Sequence, residues 1–294
     1  MRAAATLVAA AATARACLLP RPLVVLKSGR SASTSMAREL AAITGCPEKQ
    51  EIVHVHKEGR QNASCARQEA KWRKALAAPQ VITHNPVTAA GGCFGTRAAD
   101  GAGARRLARM LQSSNATVVS WTRRNSLRVV LADMCASNTG DNSGSASACY
   151  PWRTADYSPE YVASRTAIEY GKRQKIVSIA ADAGGVADFD FETFAAHAAA
   201  TLMALLGHVL GPKAAAAAVA AKPPTQMSDS SASLEAAFDR PELVLSALKR
   251  ACLDWTFFGG SWENAREPRA PCPANLSSAR SATSAAVAAA RPFF

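Results

Sequence analysis

Aromatic residues make up only 6% of this chain, and several signatures of common protein classes are missing. None of the eight cysteines forms a CxxC pair, which excludes a zinc ribbon and a thioredoxin-type motif. There is no GxxxxGK(S/T) loop, no GxGxxG dinucleotide fingerprint and no GxSxG nucleophile elbow. Ser28 and Ser33 are therefore poor candidates for a hydrolase nucleophile. After the first residues, no apolar run approaches the length that spans a bilayer. Lys and Arg are scattered and not interleaved with aromatics, so a nucleic-acid module is not expected.

What remains is a 294-residue chain of formal net charge +12, long enough for one large α/β domain with a sizeable core. Such a surface favours anionic partners, although an Arg-rich composition alone would also produce it. Alanine inflates the 49% hydrophobic content; the Ala runs at 195–200 and 214–221 read as filler helix. Residues 1–17 have a basic start, a short apolar centre and Ala14-Arg15-Ala16 before Cys17, the pattern of a signal peptide; a transit peptide fits nearly as well. The expected organisation is a leader over 1–20, an α/β domain over 21–262 and a poorly ordered Pro/Ser/Ala-rich tail over 263–294. The wide cysteine spacing suits either buried thiols or lumenal disulfides. Sequons stand at Asn62, Asn115 and Asn275.

Leu23-Val24-Val25-Leu26 is a short continuous apolar run, as in a strand buried on both faces of a parallel sheet. After Gly29 and a small polar stretch, Met36, Leu40 and Ile43 recur at helical spacing until Gly45. Residues 48–79 read as exposed helix or loop. A second strand over 117–121 leads into Arg123-Arg124-Asn125 and a helix from about Leu127 to Met134, and 137–150 reads as loop. Further helices are expected over 158–173, 191–210, ending at Gly211-Pro212, and 241–253, with a strand at Ile176-Val177-Ser178-Ile179 and a polar loop over 222–233. Alternating strands and helices predict a parallel sheet flanked by helices. Both unusual loops, 27–34 and 122–126, would fall at carboxyl ends of strands, where such sheets bind ligands.

Lys27-Ser28-Gly29-Arg30-Ser31-Ala32-Ser33-Thr34 suits a tetrahedral anion. A helix N-terminus offers unpaired amides and about half a positive charge, and small residues let those amides close around a phosphate or sulfate. The hydroxyls add donors, while Lys27 and Arg30 add charge. A Ser-rich helix cap with two exposed cations is the plainer alternative.

This strand-loop-helix segment resembles the 5′-phosphosulfate loop of sulfotransferases that use 3′-phosphoadenosine 5′-phosphosulfate (PAPS), which often reads GRSGST or PKSGTT. The resemblance implies a P-loop-like three-layer fold, Arg30 as catalytic cation, and Ser31 to Thr34 around the phosphosulfate. Ala32 stands where the family usually has Gly, tolerable only if φ is negative. Arg123-Arg124-Asn125-Ser126-Leu127 resembles the family's 3′-phosphate site, with Arg124 as the matching Arg. The Ser expected eight residues later is replaced by Ala132, beside Asp133. Thr83-His84-Asn85-Pro86 is similar to a middle segment of carbohydrate-type and algal relatives, and Lys222 with its Ser-rich loop is similar to the segment that covers the adenosine.

In that family a Glu or His takes the acceptor's proton, which makes Glu51 the first candidate here and His54 the second, with Glu48 and His56 nearby. Each can equally be a solvated surface residue. The His54/His56 pair lacks a third ligand in sequence, so no metal is expected. The resemblance implies a sulfuryl transferase acting on a hydroxyl, most simply of a carbohydrate, in the Golgi lumen or, on the transit-peptide reading, a plastid. The rivals are an impaired relative that binds nucleotide or glycan without turnover, which Ala32 and Ala132 favour, and a P-loop kinase, which would need a Walker lysine.

Overall fold

The computed structural model describes residues 16–52, 65–87, 93–94, 101–139, 149, 151–225 and 234–253. His54, His56, the sequons at Asn62 and Asn275, the tail over 263–294 and most of the predicted leader lie outside them.

Five strands form one all-parallel sheet: β1 (Leu23–Lys27), β2 (Glu48–Gln50), β3 (Val81–His84), β4 (Thr117–Thr122) and β5 (Ala187–Asp190), in the order β2-β3-β1-β4-β5. Between them run α1 (Ser33–Thr44), α2 (Cys65–Leu76), α3 (Ala102–Gln112), α4 (Ser126–Thr139) and α5 (Pro159–Asp182). The chain closes with α6 (Phe191–Ala196), α7 (Ala198–Leu210), α8 (Pro212–Ala221), α9 (Leu234–Ala237) and α10 (Pro241–Arg250).

Strand alternation sorts the apolar side chains into two layers. On one face Leu23, Val25, Val81, Val119 and Trp121 pack against Met36 and Leu40 of α1 and Leu202 and Leu205 of α7. On the other, Val24, Leu26, Ile82 and Val118 meet Trp72 of α2, Leu107 of α3, and Ile176 and Ile179 of α5. The molecule is therefore a three-layer α/β sandwich. A third cluster joins α4, α5 and α10 through Leu131, Val162, Val244 and Leu248.

The predicted strand at 176–179 is instead part of α5. Ile176 and Ile179, three apart, bury one helical face on the sheet, and that burial overrides the β-branched propensity of the run. The long helix expected over 191–210 breaks at His197 into α6 and α7, and α8 starts at Pro212 immediately after Gly211. β2, β3, β5 and α3 were not anticipated. Cys17 is disulfide-bonded to Cys46, Leu18 N–H donates to Thr44 O at 2.9 Å, and Leu19 is buried, so residues 17–19 belong to the folded unit. Cys65–Cys93 and Cys135–Cys149 are also bridged, and Cys252 is disulfide-bonded too. These cysteines are therefore disulfide-bonded and not free thiols.

Candidate anion site at the carboxyl edge of the sheet

The connection leaving β1 runs toward β2, whereas the one leaving β4 runs toward β5. The carboxyl ends of β1 and β4 thus flank a topological switch point, the place where open α/β sheets bind ligands. The β1–α1 loop and the β4–α4 turn both lie there and are bonded together. Ser28 N–H donates to Trp121 O at 3.1 Å, Trp121 Nε1–H to Ser31 O at 2.8 Å, and Arg123 Nη1 to Arg30 O at 3.5 Å.

Within the loop, Ser31 is fully buried and its hydroxyl donates to Ser28 O at 2.8 Å, so it braces the turn. Ser28 Oγ is buried with no hydrogen-bond partner among the described residues. Ser33 is buried and Thr34 donates to Gln50 Oε1 at 3.4 Å. Ala32 is the N-cap of α1 and supplies no side-chain cap; the Ser33, Thr34 and Ser35 amides find no acceptor among the described residues. Arg30 and Ala32 both sit in the left-handed region, at φ 53° and φ 50°. The condition under which Ala32 is strain-free is therefore not met. A Cβ on Gly29 would come within 3.9 Å of Asn85 Nδ2, which places the Asn85 side chain beside the loop.

Lys27, Arg30 and Arg124 each face a carboxylate. Arg30 Nε lies 2.8 Å from Asp133 Oδ1, and Asp133 also faces Arg165 at 3.8 Å. Both partners are about one-third exposed, so the pair is worth about 0–1 kcal/mol, little enough for a doubly charged phosphate to displace.

The Arg124 end is different. Its guanidinium meets Asp190 at 3.0 Å and donates to Thr193 Oγ1 at 2.9 Å. Glu192, at the start of α6, accepts from the backbone amides of Arg124 and Asn125 at 2.9 and 3.1 Å. Arg123 stacks on Phe191 at 4.6 Å and lies 3.6 Å from Glu192. Burial pushes the Glu192 carboxyl up, against the opposing pull of Arg123 and the two amides. Displacing Glu192 would orphan two backbone amides at about 1–3 kcal/mol each. The turn that was expected to hold a 3′-phosphate already holds the chain's own carboxylate.

A third group lies at the ends of β1, β2 and β3. Lys27 Nζ is 2.8 Å from Glu51 Oε1, and Glu51 Oε2 accepts from the Asn85 amide at 3.2 Å. Glu51 itself is at φ 48°. His84 Nδ1 is 3.4 Å from Glu51 Oε2, an electrostatic contact and not a well-formed hydrogen bond; its Nε2 is buried without a partner. Burial alone would raise the Glu51 carboxyl, but His84 and Lys27 outweigh it and hold it at about 2, against an ordinary 4.5. So acidic a carboxyl is a weak proton acceptor near neutral pH. Glu51 is thus held as the ion-pair partner of Lys27, beside His84, read in the sequence only as part of a motif. The signal for it was a His closing a buried strand. Lys222 is exposed at the C-cap of α8 and makes no hydrogen bond or ion pair with either loop among the described residues.

No protein-family model, curated protein or solved structure matches the chain.

Proposed function

We propose that this protein is a sulfotransferase-like, P-loop-type nucleotide-binding enzyme that moves a sulfuryl group from PAPS to a hydroxyl, most simply of a carbohydrate. The observation that carries the reading is the uncapped amino end of α1, preceded by a loop that holds the buried, unpartnered Ser28 Oγ and is bonded to Trp121 of β4 and to Arg123 of the β4–α4 turn. Unused donors of this kind fit the phosphosulfate end of the ligand. The 3′-phosphate end fits poorly, because Glu192 and Asp190 already occupy its donors.

When bound, PAPS supplies the sulfuryl group and the leaving phosphate. The residues here would do the rest. The Ser33 to Ser35 amides and the Ser28 and Thr34 hydroxyls hold the anion. Arg30, released from Asp133, stabilises charge on the bridging oxygen as it leaves. His84 takes the acceptor's proton, oriented by a Glu51 that Lys27 keeps ionised. The three described disulfides suit the oxidising lumen of the secretory pathway better than a plastid.

The test is transfer from radiolabelled PAPS to a panel of desulfated glycans. Wild type transfers label, and Arg30→Ala loses transfer while unfolding normally; full activity in Arg30→Ala removes that residue's role. A second reading, a relative that binds without turnover, is favoured by the strained Ala32 and by Glu192 in the Arg124 turn. Tight binding of 3′-phosphoadenosine 5′-phosphate (PAP) with no transfer to any acceptor would select it.

A further inference from the structure

One feature of the amino-terminal edge of the sheet is independent of the candidate site. Thr117 opens β4 at a 1% exposed position, and its hydroxyl is buried with no hydrogen-bond partner among the described residues. Burying an unpaired hydroxyl is unfavourable, and Val has nearly the same shape without that defect. The other such hydroxyls, on Ser28 and Thr83, lie at the opposite edge near the proposed anion site. Among the described residues nothing gives the Thr117 hydroxyl a task.

Thr117 is also the third residue of Asn115-Ala116-Thr117. Asn115 is exposed in the turn between α3 and β4, at φ 32°, a left-handed conformation that Asn tolerates. Its side-chain oxygen accepts from Arg21 Nη1 at 3.4 Å, while its amide nitrogen makes no hydrogen bond among the described residues. Three disulfides are consistent with the oxidising compartment in which such asparagines are modified. We infer that Asn115 is an N-glycosylation site and that Thr117 is a threonine because the modification requires its hydroxyl.

The reaction joins Asn115 Nδ2 to the anomeric carbon of an oligosaccharide carried on a lipid diphosphate. The sugar–phosphate bond breaks, the lipid diphosphate leaves, and the amide nitrogen loses one proton. Because the Thr117 hydroxyl is buried once β4 has paired with β1 at Leu23, the transfer precedes that pairing. β4 separates Asn115 from the β4–α4 turn by roughly 17 Å at about 3.3 Å per residue, so a glycan there leaves the anion site open.

The full chain is expressed behind a secretory signal sequence in a eukaryotic host and digested with peptide-N-glycosidase F in heavy-oxygen water. The expected result is a labelled Asp at position 115, lost in Asn115→Gln and Thr117→Val and kept in Thr117→Ser. Recovery of the Asn115 peptide wholly unmodified overturns the proposal. A second measurement compares Asn115→Gln with Asn115→Gln/Thr117→Val, neither of which carries a glycan at this position. An equal or higher urea midpoint for the double variant supports the assignment; a clear fall gives Thr117 a structural role and removes the argument.

Discussion

Replacing Ala32 by glycine isolates the backbone geometry on which the loop depends. Ala32 sits at φ 50°, ψ 25°, where the Cβ of an L-residue crowds the following carbonyl at about 1–2 kcal/mol. Glycine has no such clash but gives up about 0.5–1 kcal/mol of additional chain entropy on folding. The difference is a net stabilisation of about 0.5–1 kcal/mol. The methyl is only half-buried and Ala32 supplies no side-chain cap, so little packing is lost in exchange. At this chain length such a change raises Tm by roughly 1–3 °C. Urea unfolding of wild type and Ala32→Gly should show a higher midpoint at unchanged slope. A lower midpoint would mean that the left-handed turn is not the resting conformation of this loop, and the case for its exposed amides would weaken with it.

Asp133→Asn should tighten PAP binding by up to about fivefold, because it removes the exposed counter-charge of Arg30 while keeping the side chain's shape; unchanged or weaker affinity would separate Arg30 from the ligand. Glu51 titrates at about 2 when folded and near 4.5 when unfolded, so its stabilisation is present above pH 4.5 and is lost as pH falls toward 2. Glu51→Gln should flatten that part of the stability–pH curve, and an unaltered curve would contradict the Lys27–Glu51–His84 arrangement. Removing the Cys17–Cys46 bridge in the double serine variant should cost about 3.5 kcal/mol by the loop-entropy relation for a separation of 29 residues; a loss below about 1 kcal/mol would show that the segment before β1 is not held by it.

The parts of the fold legible in the sequence were those in which one segment carries its own signal. β1, its loop and α1 were readable because an apolar run, a Gly and a 3.6-residue spacing follow one another within 23 residues, 23–45. β4 and its Arg-rich turn were readable for the same reason. β2, with the sequence Glu-Lys-Gln, has no apolar content and is a strand only because it pairs with β3. β5, Ala-Asp-Phe-Asp, depends likewise on β4. The counter-charges were invisible because they are distant in sequence. Asp190 and Glu192 reach Arg124 from the end of β5 and the start of α6, 66 and 68 positions away by numbering. Asp133, next to Ala132 in sequence, faces Arg30 from 103 positions away. The role of Glu51 depended on Lys27 and His84 arriving from two other strands, which no local pattern encodes.

The adjacency of the Arg30 and Arg124 turns has its most direct test in calorimetric titration of PAP into the purified protein, repeated with Arg30→Ala and Arg124→Ala. One-to-one binding, weakened by Arg30→Ala and less so by Arg124→Ala, whose guanidinium is already committed to Asp190, is the expected result. Absence of binding, or binding indifferent to both substitutions, would contradict it.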